Sequence, residues 1–88
     1  MAWSNIYSME QLGAFLRKER RAQGMTQEGY AERIGVSHAT LSALENGRGV
    51  STETLEKALQ FLGLRLVVLP KAAGVAIDEE PAAPGGPL

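Results

Sequence analysis

From Ser8 to Leu62 the apolar residues recur three and four positions apart, and the breaks in that rhythm divide the stretch into four segments. Such spacing lays one apolar stripe along a helix, facing a core. Ser8 followed by Gln11 has the form of a capping box, Leu12, Phe15 and Leu16 carry the stripe, and Gly24 ends it, which predicts a first helix over about residues 9 to 23. Thr26 is placed to cap a second helix from Gln27 to Ile34, with Tyr30, Ala31 and Ile34 on one face and Gly35 as a left-handed stop. Ser37 caps a third from His38 to about Glu45, turning Leu41 and Leu44 inward, with Asn46-Gly47 as its exit. A fourth begins at Ser51 or Thr52, directs Leu55, Ala58, Leu59 and Leu62 inward, and closes at Gly63.

After Gly63 the rhythm changes to alternation. Leu64, Leu66 and Val68 face one way and Arg65, Val67 and Leu69 the other; β-branched residues and the Gly63 and Pro70 bookends favour a strand. A lone strand leaves its backbone N–H and C=O groups unpaired, so this one needs a mate. A second copy of the chain across a two-fold axis supplies one, making Leu64, Leu66, Val67, Val68 and Leu69 a dimerisation strand. The alternative mate is the partly strand-like "AWSNIYS" ahead of the first helix. From Ala72 onward the chain is rich in Ala, Gly and Pro, with prolines at 81, 84 and 87, which predicts a flexible tail over 72–88 behind a folded part of 1–71.

Eighty-eight residues make one small domain whose core buries only about 60% of its unfolded surface, so dimerisation adds useful burial. The absence of cysteine removes disulfides, thiol nucleophiles and cysteine-based zinc sites. No apolar run approaches the roughly 20 residues of a membrane span, and "MAWSNIYSMEQ" lacks the layout of a signal peptide, so a cytoplasmic location is expected. The net charge of −1 averages two unlike parts: residues 1–71 hold nine basic against seven acidic residues, whereas 72–88 hold Asp78, Glu79 and Glu80 and no base. Arg17, Lys18, Arg20 and Arg21 form a basic cluster that reads equally as a solvated helix face or a phosphate-facing surface. One histidine, no dense acidic group and no phosphate-cradling glycine loop leave no metal site, no cofactor and no enzyme in prospect.

The segment "TQEGYAERIGVSHATLSALENG" carries the functional signal. Two short helices joined at Gly35-Val36-Ser37 cross steeply only if small or left-handed residues stand where the backbones meet. Counting from Gln27 as one, Ala31 is at five and Gly35 at nine, while Tyr30, Ile34, Val36, Leu41 and Leu44 fill four, eight, ten, fifteen and eighteen. Those are the positions a helix-turn-helix keeps small, left-handed or apolar. The stretch resembles the DNA-binding domain of the phage-repressor-like (Xre or Cro/C1) helix-turn-helix family over roughly residues 9 to 63. It departs from that pattern at Gly29, which costs a helix about 1 kcal/mol relative to Ala.

In this geometry the third helix enters the major groove, and Ser37, His38, Ala39, Ser42 and Ala43 become the base-reading positions, His38 foremost. Ser37 has helix capping as a competing role. The resemblance implies phosphate contacts from Thr26 and Gln27 at the start of the second helix and from Asn46 and Arg48 after the third, with Asn46 equally readable as the helix terminator. Glu45 is expected to bond Arg17 or another base of the first helix. Over nearly the whole chain the order of elements is similar to HipB-type antitoxins, through the N-terminal "IYS" and the strand "LGLRLVVLP". That likeness implies a mainly α, four- to five-helix lambda-repressor-like domain that dimerises through the strand on a palindromic double-stranded operator, neutralises a HipA-type serine/threonine kinase toxin and represses its own operon. The alternatives are a stand-alone dimeric repressor and an interaction module that has lost DNA binding, the latter suggested by Ala39 and Ala43 on the reading face.

Overall fold

The computed structural model describes residues 4–68 and 70. Four helices lie among them: α1 (Met9–Ala22), α2 (Gln27–Ile34), α3 (His38–Glu45) and α4 (Thr52–Phe61). Each starts where a hydroxyl residue meets an amphipathic run. Ser8, Thr26, Ser37 and Ser51 hold extended backbone and accept the N–H of Gln11, Gly29, Thr40 and Thr54 respectively, satisfying one of the orphan donors that open every helix. The capping box at Ser8 is shifted by one residue, because the Gln11 Oε1 accepts from Tyr7 N at 2.6 Å. Gly35 closes α2 at φ 74°, a left-handed conformation that glycine adopts without steric cost. Gly29 also has a local reason: an added Cβ there would sit 3.1 Å from the Thr26 hydroxyl that caps the same turn.

The inward residues of all four helices meet in one cluster of Leu12, Leu16, Tyr30, Ala31, Ile34, Leu41, Leu44, Ala58, Leu59 and Leu62, with Val36 and Leu55 packed against it. Phe15, expected on the same stripe, is half-buried. Tyr30 is the largest buried side chain, and its hydroxyl donates to the carbonyl of Ala58 near the end of α4, which also accepts a long 3.4 Å bond from the Leu62 N–H. Burial, reinforced by the nearby Glu45 charge, holds that phenol well above its ordinary pKa and outweighs the opposing influence of Arg20. Phe61 tilts against Tyr30 with ring centroids 5.7 Å apart.

Gly13 sets how closely α1 approaches α3. A Cβ at that position would lie 2.5 Å from the Leu44 carbonyl oxygen and 2.6 Å from that of Glu45, both backbone atoms that cannot swing away. The end of α3 therefore rests directly on α1, and that contact places Glu45 among the α1 arginines.

Beyond α4, Leu64 packs against the core while Leu66, Val67 and Val68 are exposed. The Leu64 N–H donates to the Leu59 carbonyl at 2.8 Å, residues 64–68 form no strand ladder with any described residue, including residues 4–8 of the alternative mate, and Leu69 lies outside the described residues. The predicted tail, 72–88, lies outside them as well.

Candidate nucleic-acid interface

The turn Gly35-Val36-Ser37 presents the start of α3 to solvent. Val36 anchors it from below by packing on the core, and its N–H donates to the Ala31 carbonyl at 3.0 Å. His38 and Ala39 are exposed on the first turn of α3, and Ser42 and Ala43 are half-buried one turn further along. Ser37 spends its hydroxyl locally, accepting from Thr40 N at 3.0 Å and donating to Thr40 Oγ1 at 2.8 Å, so capping is its role in the free protein.

The flanking positions divide into committed and free groups. Asn46 donates from Nδ2 to the Ser42 carbonyl at 2.8 Å and to Ser42 Oγ at 3.3 Å, and its Oδ1 accepts from Arg17 at 3.0 Å. Its amide therefore terminates α3 and ties it to α1. Thr26 uses its hydroxyl oxygen on Gly29 N. Arg48 is exposed, its backbone N–H is held by the Ala43 carbonyl at 2.8 Å, and its guanidinium pairs with no described residue. Of the named phosphate positions it is the one with an uncommitted charge.

The basic cluster of α1 does not act as a single face. Arg20 is buried and grips Glu45 with two parallel bonds, Nε to Oε2 at 2.7 Å and Nη2 to Oε1 at 3.0 Å, while Nη1 donates to the Met25 carbonyl at 2.8 Å. Arg17, half-buried, lies 3.6 Å from Glu45 Oε1 and donates to the Glu45 carbonyl at 3.1 Å. Lys18 and Arg21 stay exposed. The expected bond from Glu45 to α1 is present, with Arg20 rather than Arg17 as its principal partner. Arg20 lies on the inward side of α1, one helical turn beyond Leu16, so it reaches Glu45 inside the fold.

Gln27 completes the group. Its Nε2 donates to Glu45 Oε1 at 3.1 Å, and its Oε1 lies 2.6 Å from His38 Nε2. Burial pushes the Glu45 carboxyl upward, but the bonds from Arg20 and Gln27 and the charges of Arg20 and Arg17 outweigh it and hold the group below its ordinary value. The link from Gln27 to His38 is invisible in the sequence, where they stand eleven residues apart; the signal that could have found it is the helix-turn-helix register, which sets the first residue of α2 beside the first of α3.

Comparisons with known proteins agree with this geometry. A helix-turn-helix family model matches residues 16–69. The antitoxin HipB of Escherichia coli strain K12 is 36% identical over 69 residues, which cover 77% of this chain and 78% of that protein. The ImmF control region 10 kDa protein of Bacillus phage phi105 is 35% identical over 72 residues, covering 81% of this chain and 79% of that one. In the solved HipA–HipB–O2–O3 complex, one chain superposes with a TM-score of 0.69 at 33% identity, covering 78% of this chain and 99% of that one.

Proposed function

The chain belongs to the phage-repressor-like helix-turn-helix family, and from that premise we propose that it is the sequence-specific DNA-binding antitoxin of a type II toxin–antitoxin module, repressing its own operon and neutralising a HipA-type kinase toxin. The observation that carries DNA reading is the start of α3: an exposed His38 and Ala39 on a helix fixed at both ends, with the uncommitted Arg48 flanking its far end. His38 reads a base edge, Ala39 and Ala43 meet thymine methyls, and Ser37 and Ser42 add shorter-range contacts. Arg48 and the second amide hydrogen of Gln27 take phosphates, Thr26 adds a backbone contact at the start of α2, and Asn46 positions α3. The similarity to HipB, solved in one complex with HipA, supports the toxin as partner.

Two half-sites require two chains, and the exposed Leu66, Val67 and Val68 with Leu64 and Leu69 form the strand that joins them. The working unit is thus residues 1–71, with 72–88 as an appended tail. The similarity to the phage ImmF control region protein favours a second reading, a stand-alone dimeric repressor.

Gel shifts on the duplex upstream of the chain's own gene test the DNA reading. Binding there is tighter than to random duplex and flatter in salt; equal behaviour on both refutes it. Arg48→Ala weakens binding to every sequence and lowers the salt slope by about 1, whereas His38→Ala relaxes one base position per half-site. Co-expression with a kinase encoded next to it separates the two readings: rescue of growth supports the antitoxin, and no kinase neighbour with intact operator binding supports the stand-alone repressor.

A further inference from the structure

His38 and Glu45 stand seven residues apart on α3, so they lie on one helix face, and Gln27 from α2 spans the gap between them. Both carboxylate oxygens of Glu45 are engaged by donors: Arg20 Nε on Oε2, and Arg20 Nη2 and Gln27 Nε2 on Oε1. An ionised carboxylate accepts and never donates, so the Gln27 amide has one allowed orientation, its NH2 toward Glu45 and its oxygen toward His38. That oxygen, 2.6 Å from His38 Nε2, is satisfied only by an N–H. The hydrogen bond at one ring nitrogen thereby decides the chemistry of the other. The Nδ1 atom of His38 bonds no described residue, and the ring is exposed.

We infer that Glu45, acting through Gln27, locks neutral His38 as its Nε2–H tautomer, so that the recognition helix offers an acceptor, Nδ1, to the exocyclic amino group of adenine or cytosine in the major groove. Guanine and thymine present O6, N7 or O4 acceptors at that edge and are rejected, because a lone pair would face a lone pair. Glu45 and Gln27 are positioning residues here; neither needs to touch a base. A free imidazole exchanges its proton between the two nitrogens and reads either class of edge, so the relay converts a permissive reader into a selective one. This inference rests on the DNA-binding reading for its consequence but not for its premise.

Nitrogen-15 NMR of the full-length free protein at about pH 8, above the ordinary imidazole range, tests the premise without DNA. The chain has one histidine, so its ring signals are assigned at once. Wild type shows the Nε2–H form with a stronger bias than Gln27→Met, in which the relay is cut by a side chain of similar length. Equal bias in the two proteins overturns the inference. Selection from randomised duplexes tests the consequence at the position whose preference disappears in His38→Ala. Wild type enriches adenine or cytosine there, and replacing adenine by purine, which lacks the amino group, weakens binding about threefold to tenfold, the size of one hydrogen bond. Gln27→Met admits guanine or thymine at that position and leaves the remaining positions as they were. Guanine or thymine preferred by wild type, or an even loss of affinity in Gln27→Met with the preference unchanged, overturns the inference while the DNA reading stands. A wild type that enriches no sequence overturns the base-edge consequence together with that reading, and the NMR comparison alone then decides the relay.

Discussion

Two regions of this chain invert the usual distribution of residues, and they do so in opposite ways. Beneath α3, charged groups are inside, with Glu45 2% and Arg20 7% exposed; beyond α4, apolar groups are outside, with Leu66 53% and Val68 85% exposed. The first inversion closes on itself: among the described residues every buried side-chain polar atom has a hydrogen-bond partner. The second is covered by no other described residue. Burying charge costs several kcal/mol per ion unless donors and counter-charges surround it, and here α1, α2 and the Met25 carbonyl supply them around Glu45 of α3. Exposed apolar surface has no such internal remedy, since only a second surface removes it from water. The closed region therefore belongs to the fold of one protomer, and the proposed dimer assigns the open one to its assembly.

Glu45→Ala breaks the closed region hardest. It leaves the buried Arg20 guanidinium without its carboxylate, which costs about 3–5 kcal/mol, comparable to the whole stability of a domain this small. Urea unfolding reads the loss directly. The double change Arg20→Met with Glu45→Met sharpens the point, because removing both charges recovers most of that stability while cutting the link to Gln27 and His38. A double variant as unstable as Glu45→Ala would show that packing, not the lone charge, carries the effect. Gly13→Ala ranks next. Its methyl group meets two backbone carbonyls of α3, and separating the helices costs about 1–3 kcal/mol, seen in the same unfolding curves.

Acid probes the same pair with a smaller effect. The folded-state pKa of Glu45 lies below its ordinary value of 4.5, so its contribution is fully present above that pH. As pH falls below 4.5 and through the folded-state value, protons bind the unfolded chain first and the contribution is lost. Stability against urea therefore declines on the acid side in wild type and declines less steeply in Glu45→Gln. Parallel pH curves would remove Glu45 from the acid response.

These regions were not equally legible in the sequence. The four helix starts were, because a cap is a local event between a hydroxyl and an N–H three residues on; Thr26, Ser37 and Ser51 announce themselves without knowledge of the fold. The exposed first turn of α3, with His38 and Ala39 outward, followed from period and register alone. The partner of Glu45 was legible only as a base on α1, since the choice of Arg20 over Arg17 depends on which side of α1 the end of α3 meets. Gly13 decides that approach, and it carries no mark of its role in a run that reads as an ordinary helix. Gln27 was read as a phosphate contact, and its bonds to Glu45 and His38 were not foreseen, because these two neighbours arrive from opposite ends of another helix. The alternation of Leu64 to Leu69 was plain, but a pattern within one chain does not say which edge pairs with it.

The open region is broken by the change that disturbs the single protomer least. Leu66→Asp with Val68→Asp places charges on side chains already in solvent, so the unfolding free energy of the single protomer in urea changes by no more than about 0.5 kcal/mol. Across a two-fold strand pair the same carboxylates face their copies at close range, where like charges oppose and apolar burial is lost. Sedimentation then shows a shift from dimer to monomer, and operator affinity falls because each recognition helix binds its half-site alone. A dimer that survives both substitutions moves the interface to another face, and a protomer that unfolds shows that the run belongs to the core of one chain. Either result would collapse the contrast between a region closed within the chain and one completed by its copy.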